Sequence, residues 1–302
     1  MVTLPAGLRV GHATDAAART GCTVFLGPFR AASFVAGHAT GTRELDALST
    51  LHIVPRVDAL LFTGGSAFGL GAANGVVDWL EERGLGFEVG AARVPIVPAA
   101  VIFDLPIASR RPDAAMARLA CDAATNDAPA EGAVGAGTGA TVGKWLGPAN
   151  ASRGGFGCAS TIYGEAILFA AVVVNALGDV IGADGQVIAG ARGIDGAFAG
   201  VRTLHTSPAH ASSATWRGGT NTTLAVVATD APLTRTQLEI LARMATAGLA
   251  RRISPAFTPF DGDIVFAMSL SQDGAGIESR ELLALGAAAC HALEQAIERA
   301  VA

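Results

Sequence analysis

The longest apolar run in this 302-residue chain, AILFAAVVVNAL from Ala166, permits few structures. It is shorter than the ~20 residues a helix needs to cross a bilayer, and Asn175 interrupts it. It reads as a central strand buried on both faces. With the preceding ASTIYGE it makes a strand pair separated by a turn. Strand and helix patterns alternate along the rest of the chain. RVDALLFTGG (Arg56 to Gly65) is a buried strand running into a glycine turn, and the following SAFGLGAANGVVDWLEERG sets Phe68, Val76, Val77 and Leu80 at near-helical spacing until Gly84 stops the helix. ARLACDAATN, near Arg118, predicts a second helix. Towards the C-terminus come the strand TTLAVVATD, a helix with Leu238, Leu241, Met244, Ala245 and Leu249 on one stripe, the strand FDGDIVFAMSL and a last helix, SRELLALGAAACHALEQAIERAV. These strands are too apolar to stand alone. They complete a sheet begun upstream, so residues 1–302 are expected to form a single intertwined domain.

Composition narrows the function. With 51% hydrophobic residues and a mean hydropathy of +0.44, the chain can bury a large core. Only 16% of residues are charged, the net charge is −5, and lysines and arginines are scattered. That argues against a nucleic-acid or anionic-membrane surface and for small-molecule or oligomeric substrates. The N-terminal MVTLPAGLRVGHATD lacks a basic start, an apolar stretch and a cleavage site, which predicts a soluble cytoplasmic protein. Cys22, Cys121, Cys158 and Cys290 stand far apart with no C-x-x-C pair, so they are expected to be buried, inert thiols rather than zinc ligands or disulfides. GGSAFGLGAANG follows a strand, but its glycine spacing fits neither phosphate-binding fingerprint, and no cofactor is expected. No G-x-S-x-G elbow is present, and the six histidines are dispersed.

Four places carry chemistry. In FDGDIVF, strand alternation puts Asp261, Asp263 and Val265 on one face, aiming two carboxylates at one spot; a solvated turn is the plainer reading, and a metal site a third. Lys144, in ATVGKWL, stands in a nearly chargeless neighbourhood, either snorkelling to water beside Trp145 or paired with a carboxylate. Around it EGAVGAGTGATVGKWLG is so rich in glycine that backbone must approach something closely there. Asn175 in VVVNAL is either an internal bridge or an oxyanion donor. Fourth, GGTNTTLAVVATDAP opens a strand with Thr222 directly after Asn221. Turn chemistry explains that junction simply. It also suits a bond meant to break, leaving Thr222 with a free amine as base beside its own hydroxyl nucleophile. A long polar stretch, Ala189 to Gly219, leads to the junction as a flexible approach to a processing site would.

GLRVGHATD with TGCTV, DALLFTGGSAFGL, GAGTGATVGKW and above all TNTTLAVVATDAPL resemble, across essentially the whole chain, one family of self-processing peptidases. It is the family of L-aminopeptidase/D-esterases, β-aminopeptidases and nylon-oligomer (6-aminohexanoate-oligomer) endo-hydrolases. The resemblance implies an α/β fold, a four-layer αββα sandwich like the N-terminal-nucleophile hydrolases and shared with ornithine acetyltransferases. It implies cleavage into fragments 1–221 and 222–302, assembled as a homotetramer of cleaved units. The aminopeptidase branch has serine at the cleavage point. Asn221-Thr222 matches the nylon-oligomer branch, and its lysine, asparagine and two aspartates fall on Lys144, Asn175, Asp261 and Asp263. The serine branch carries serine and glutamate where Asp261 and Asp263 stand, which puts β-peptide and D-amino ester activity in doubt. The expected activity is cofactor-free hydrolysis of amides in linear oligomers. Alternatives are an aminopeptidase of short peptides, an acyltransferase of the ornithine type, and a non-processing binding protein on the same fold.

Overall fold

One long strand, Thr20–Val35, decides the architecture, because its two halves belong to different sheets. The structure, a computed structural model, describes residues 2–201 and 221–302. In chain order its strands are β1 (Arg9–Asp15), β2 (Thr20–Val35), β3 (Thr42–Arg43), β4 (Val57–Thr63), β5 (Phe87–Val89), β6 (Ala92–Val94), β7 (Ala99–Val101), β8 (Thr141–Val142), β9 (Ser152–Arg153), β10 (Gly155–Tyr163), β11 (Ala166–Asn175), β12 (Asp179–Ile181), β13 (Val187–Ala189), β14 (Thr222–Thr229), β15 (Ile253–Ser254) and β16 (Ile264–Ser269). The helices are α1 (Ser66–Gly69), α2 (Ala73–Glu81), α3 (Ala114–Asp122), α4 (Arg235–Arg252) and α5 (Ser279–Ala300).

The first half of β2 pairs with β1 and β4, and its second half pairs with β16. The register shifts between Leu26 and Phe29, where the strand passes from one sheet to the other. One sheet therefore runs β1-β2-β4-β7-β3 and the other β10-β11-β14-β16-β2.

Side-chain alternation assigns the layers. On β11, Phe169, Ala171 and Val173 share a cluster with Phe25 and Phe62 of the opposite sheet, while Leu168, Ala170, Val172 and Val174 pack with Leu238 and Leu241 of α4 and Leu285 and Leu293 of α5. On β2, Val24 and Leu26 face Val76 and Trp79 of α2 and Ala117 of α3. The layers are thus helices, sheet, sheet, helices: the αββα sandwich. The rings of Phe62 and Phe266 meet across the sheets with centroids 5.8 Å apart. Each such buried ring stabilises by about 1.5–3 kcal/mol relative to exposure.

Local rules explain most elements. Thr234 and Gln237 form a reciprocal capping box at the start of α4, and its Leu238, Leu241, Ala245 and Leu249 are buried as the stripe predicts. β10 and β11 are the expected hairpin, and all four cysteines are buried free thiols. Two readings need correction. The helix from Ser66 is interrupted by a 3-10 turn at Leu70–Ala72; just before it, Gly69 lies so close to the carbonyl of Gly64 that a Cβ would have no room. Phe68 is exposed there, under the guanidinium of Arg111. The strand in FDGDIVF begins only at Ile264, so Asp261 and Asp263 precede it. Residues 202–220, most of the polar stretch, lie outside the described residues. Among the described residues no helix is long and apolar enough to cross a membrane.

Candidate active site

Three neighbouring strands bring the sequence-distant candidates together at one end of the second sheet. β14 lies between β11 and β16. Antiparallel register pairs Asn175, the last residue of β11, with Thr222, the first of β14. On the other side β14 runs parallel to β16, and an isolated bridge pairs Asn221 with Asp261. Thr222 thus sits between Asn175 and the aspartates.

Asp261 and Asp263 are 1% and 2% exposed, which rules out the solvated turn. They leave strand geometry because another segment claims their backbone. The N–H groups of Ala36 and Gly37 donate to the carbonyl of Asp263, and those of His38 and Ala39 to that of Asp261. Gly37 makes the embrace possible: a Cβ there would lie 2.3 Å from both the Asp261 carbonyl oxygen and the Asp263 nitrogen. The carboxylates are caged by donors. Asp263 accepts from Thr223 N–H at 2.6 Å and Phe257 N–H at 3.1 Å; Asp261 accepts from Leu177 N–H at 3.3 Å, Thr258 N–H at 3.0 Å and the Thr258 hydroxyl. Burial raises the pKa of both, and the charge of Asp261 raises Asp263 further.

Lys144 reaches the site through its own turn. Gly143 is left-handed and packs so tightly on Gly190–Ala191 that a Cβ would meet the Ala191 nitrogen at 2.0 Å. Lys144 N–H donates to Leu177 O at 2.9 Å, and Trp145 is anchored through Nε1 to Asp179 at 3.2 Å. The ammonium does not snorkel away. Nζ donates to the backbone oxygen and Oδ1 of Asn175, at 3.0 and 2.8 Å. Burial lowers its pKa to about 7, against the opposing pull of Asp261, Asp263 and Asp104. Asn175 is fully buried; its Oδ1 also accepts Thr141 N–H at 3.1 Å, and its Nδ2 donates to Phe103 O at 3.4 Å. It bridges strands: Oδ1 accepts from two donors, and of the two Nδ2 N–H groups one goes to Phe103 O, leaving the other to donate.

At the junction itself, the Thr222 hydroxyl donates to the Asn221 carbonyl oxygen at 2.5 Å, and Gly262 N–H donates to the same oxygen at 2.8 Å. Thr222 is 4% exposed, and Asn221 Oδ1 is buried with no hydrogen-bond partner among the described residues. The carbonyl between Asn221 and Thr222 is thereby polarised by two donors.

Two members of the site escape sequence reasoning. Gly262 is one; its only signal is its place between the aspartates. The other is Asp104, 1% exposed, which accepts from the Thr20 hydroxyl at 2.6 Å and Gly65 N–H at 2.7 Å and adds negative charge near Lys144. A carboxylate following the apolar AAVIF is the signal that marks it. Burial raises the carboxyl pKa of Asp104 as it does those of Asp261 and Asp263, and the nearby Lys144 pulls Asp104 and Asp261 back down. Among the described residues no group of three His, Cys, Asp or Glu is arranged to hold a metal ion.

The sequence matches peptidase family S58 over residues 3–302. An uncharacterized aminopeptidase of Mycobacterium bovis is 39% identical over 96% of this chain and 90% of its own length. A 6-aminohexanoate-oligomer endohydrolase of Paenarthrobacter ureafaciens is 31% identical over 71% of this chain and 61% of its own. Among solved structures, a Burkholderia sp. β-aminopeptidase superposes with a TM-score of 0.73 at 22% identity, over 98% of this chain and 84% of that one. The L-aminopeptidase D-Ala-esterase/amidase of Ochrobactrum anthropi, described as a variant of the Ntn-hydrolase fold, gives a TM-score of 0.72 at 19% identity with the same coverage. Sequence and architecture agree: the chain belongs to peptidase family S58 and is a hydrolase of amide bonds built on the N-terminal-nucleophile sandwich.

Proposed function

We propose that this hydrolase cuts its own chain between Asn221 and Thr222 and then uses Thr222 to hydrolyse amides in linear oligomers of the 6-aminohexanoate kind. The observation that supports this most is the junction itself, a buried hydroxyl held against the carbonyl preceding it, with Gly262 N–H on that same oxygen. Thr222 Oγ attacks the Asn221 carbonyl carbon, and Gly262 N–H stabilises the charge growing on oxygen. Collapse breaks the C–N bond, the Thr222 nitrogen takes a proton, and the acyl group now sits on Oγ as an ester. Water cleaves the ester, releasing the Asn221 carboxylate and a free Thr222 amine. Lys144 accepts a proton near neutrality because burial has lowered its pKa to about 7. In turnover the new amine is the base, Oγ attacks the substrate amide, and Asn175 Nδ2 adds a donor for the oxyanion. Asp263 holds the backbone N–H of Thr223, and Asp261, itself held by Leu177 and Thr258, adds its charge beside Asp263 and Lys144.

The 31% identical 6-aminohexanoate-oligomer endohydrolase supports the substrate class. A second reading, an aminopeptidase of short peptides, is favoured by the name of the 39% identical mycobacterial relative. Incubating the purified protein with 6-aminohexanoate trimer, and separately with an L-aminoacyl anilide, tests both. Trimer cleavage is the result expected. Release of anilide with the trimer untouched would replace the first reading with the second. Transfer of the acyl group to an added amine in preference to water would indicate an acyltransferase.

A further inference from the structure

A cavity of about 290 Å³ opens beside the site, lined by Arg19, Arg153, Thr138, Ala140 and Gly154 among others. Its walls are the backbone that holds Asn175. Ala140 precedes Thr141, whose N–H donates to Asn175 Oδ1, and Gly154 lies against the carbonyl of Val174 so closely that a Cβ would come within 2.0 Å. Arg153 is paired with Thr141 across β8 and β9. Arg19 comes from the turn between β1 and β2. Its φ of 57° is a left-handed conformation that few residues other than glycine adopt, and its carbonyl rests on Gly139, where a Cβ would be 2.4 Å away. Among the described residues neither guanidinium meets a carboxylate or any other acceptor. The acids of the adjoining segments, Asp15 and Glu131, are committed to Arg110 and Arg299.

We propose that this cavity is a subsite for the carboxylate end of the substrate, with Arg19 and Arg153 gripping a terminal carboxylate and the alanines of the lining accommodating the methylene or side-chain segment before it. The proposal rests on the amide-hydrolase reading. Two arginines beside the alanines of one lining fit the planar carboxylate that ends every linear amide oligomer and every peptide. The binding assay that tests it needs no turnover. Titrating the purified protein with 6-acetamidohexanoate and with its neutral amide, 6-acetamidohexanamide, should show the acid binding about tenfold tighter or better, a preference that weakens with salt. In Arg19→Gln/Arg153→Gln the preference disappears. Both residues are exposed, so the fold and the junction chemistry remain, checked by an unchanged melting curve and unchanged fragment pattern. Equal affinity for acid and amide in the wild-type protein, or a preference that survives in the double variant, would overturn the subsite. Failure to hydrolyse any amide substrate would count against the amidase reading instead, and the titration would still decide the cavity.

Discussion

Substituting Gly262 by alanine perturbs the junction through one methyl group. That methyl would lie 2.9 Å from Thr222 Oγ1, 2.7 Å from the Ala39 carbonyl oxygen and 3.0 Å from Thr40 Cα. Reaching ordinary contact at 3.4 Å requires the neighbours to open by roughly 0.4–0.7 Å. The Gly262 N–H bond to Asn221 O starts at 2.8 Å, so a displacement of that size takes it to the edge of the ~2.7–3.2 Å range of a good N–H···O bond or beyond. Losing one oxyanion donor slows acyl chemistry by about 10²–10³-fold, which is ~2.7–4 kcal/mol of barrier. Cell-free synthesis of the precursor, followed by denaturing mass analysis at timed intervals, measures the rate. The expected outcome is a Gly262→Ala precursor that folds, with the wild-type circular dichroism spectrum, and cleaves at least ~10²-fold more slowly. Cleavage within about threefold of the wild-type rate would show that Gly262 N–H does not carry the oxyanion and would refute the reasoning.

Two further predictions concern the charged residues. Because burial lowers the Lys144 pKa to about 7, its neutral fraction grows as pH rises through that value, and self-cleavage should accelerate over the same window; Lys144→Arg stays cationic and should lose this rise, whereas an unchanged pH–rate profile would remove Lys144 from proton transfer. Asp263→Asn sets an amide N–H₂ against one of the two backbone donors now bound, Thr223 N–H or Phe257 N–H, and should cost about 1–3 kcal/mol in urea unfolding. Since a raised carboxyl pKa means the folded state holds more protons, wild-type stability should fall as pH rises above the ordinary carboxylate range, and that slope should flatten in the variant. A variant as stable as wild type at neutral pH, with the same slope, would contradict the buried-acid account.

Much of this was legible in the sequence, and the physics explains where it stopped. The apolar run before Asn175 announces a strand buried on both faces, and it is the β11 strand lying between β10 and β14. Lys144 stood out because lone charges in apolar neighbourhoods need partners, and Asn175 is one. The aspartates were found by the alternation rule although the rule does not hold there: backbone bonds from residues 36–39 pull FDGD out of strand geometry, a long-range contact that no local pattern records. Asp104 and the Gly262 N–H were missed for the same reason. One acts through partners far away in sequence, Thr20 and Gly65, and the other through a main-chain group that every residue but proline carries. The interruption after Gly69 leaves no mark in the apolar spacing, which runs on through Val76, Val77 and Leu80.

The central claim is that Thr222 cuts the bond before it, and the intact mass of the purified protein under denaturing conditions, beside that of Thr222→Ala, tests it most directly. The account predicts two wild-type fragments meeting between Asn221 and Thr222, and one unbroken chain in the variant. A folded wild-type protein that remains a single chain, or a Thr222→Ala protein that still divides at that bond, would contradict it.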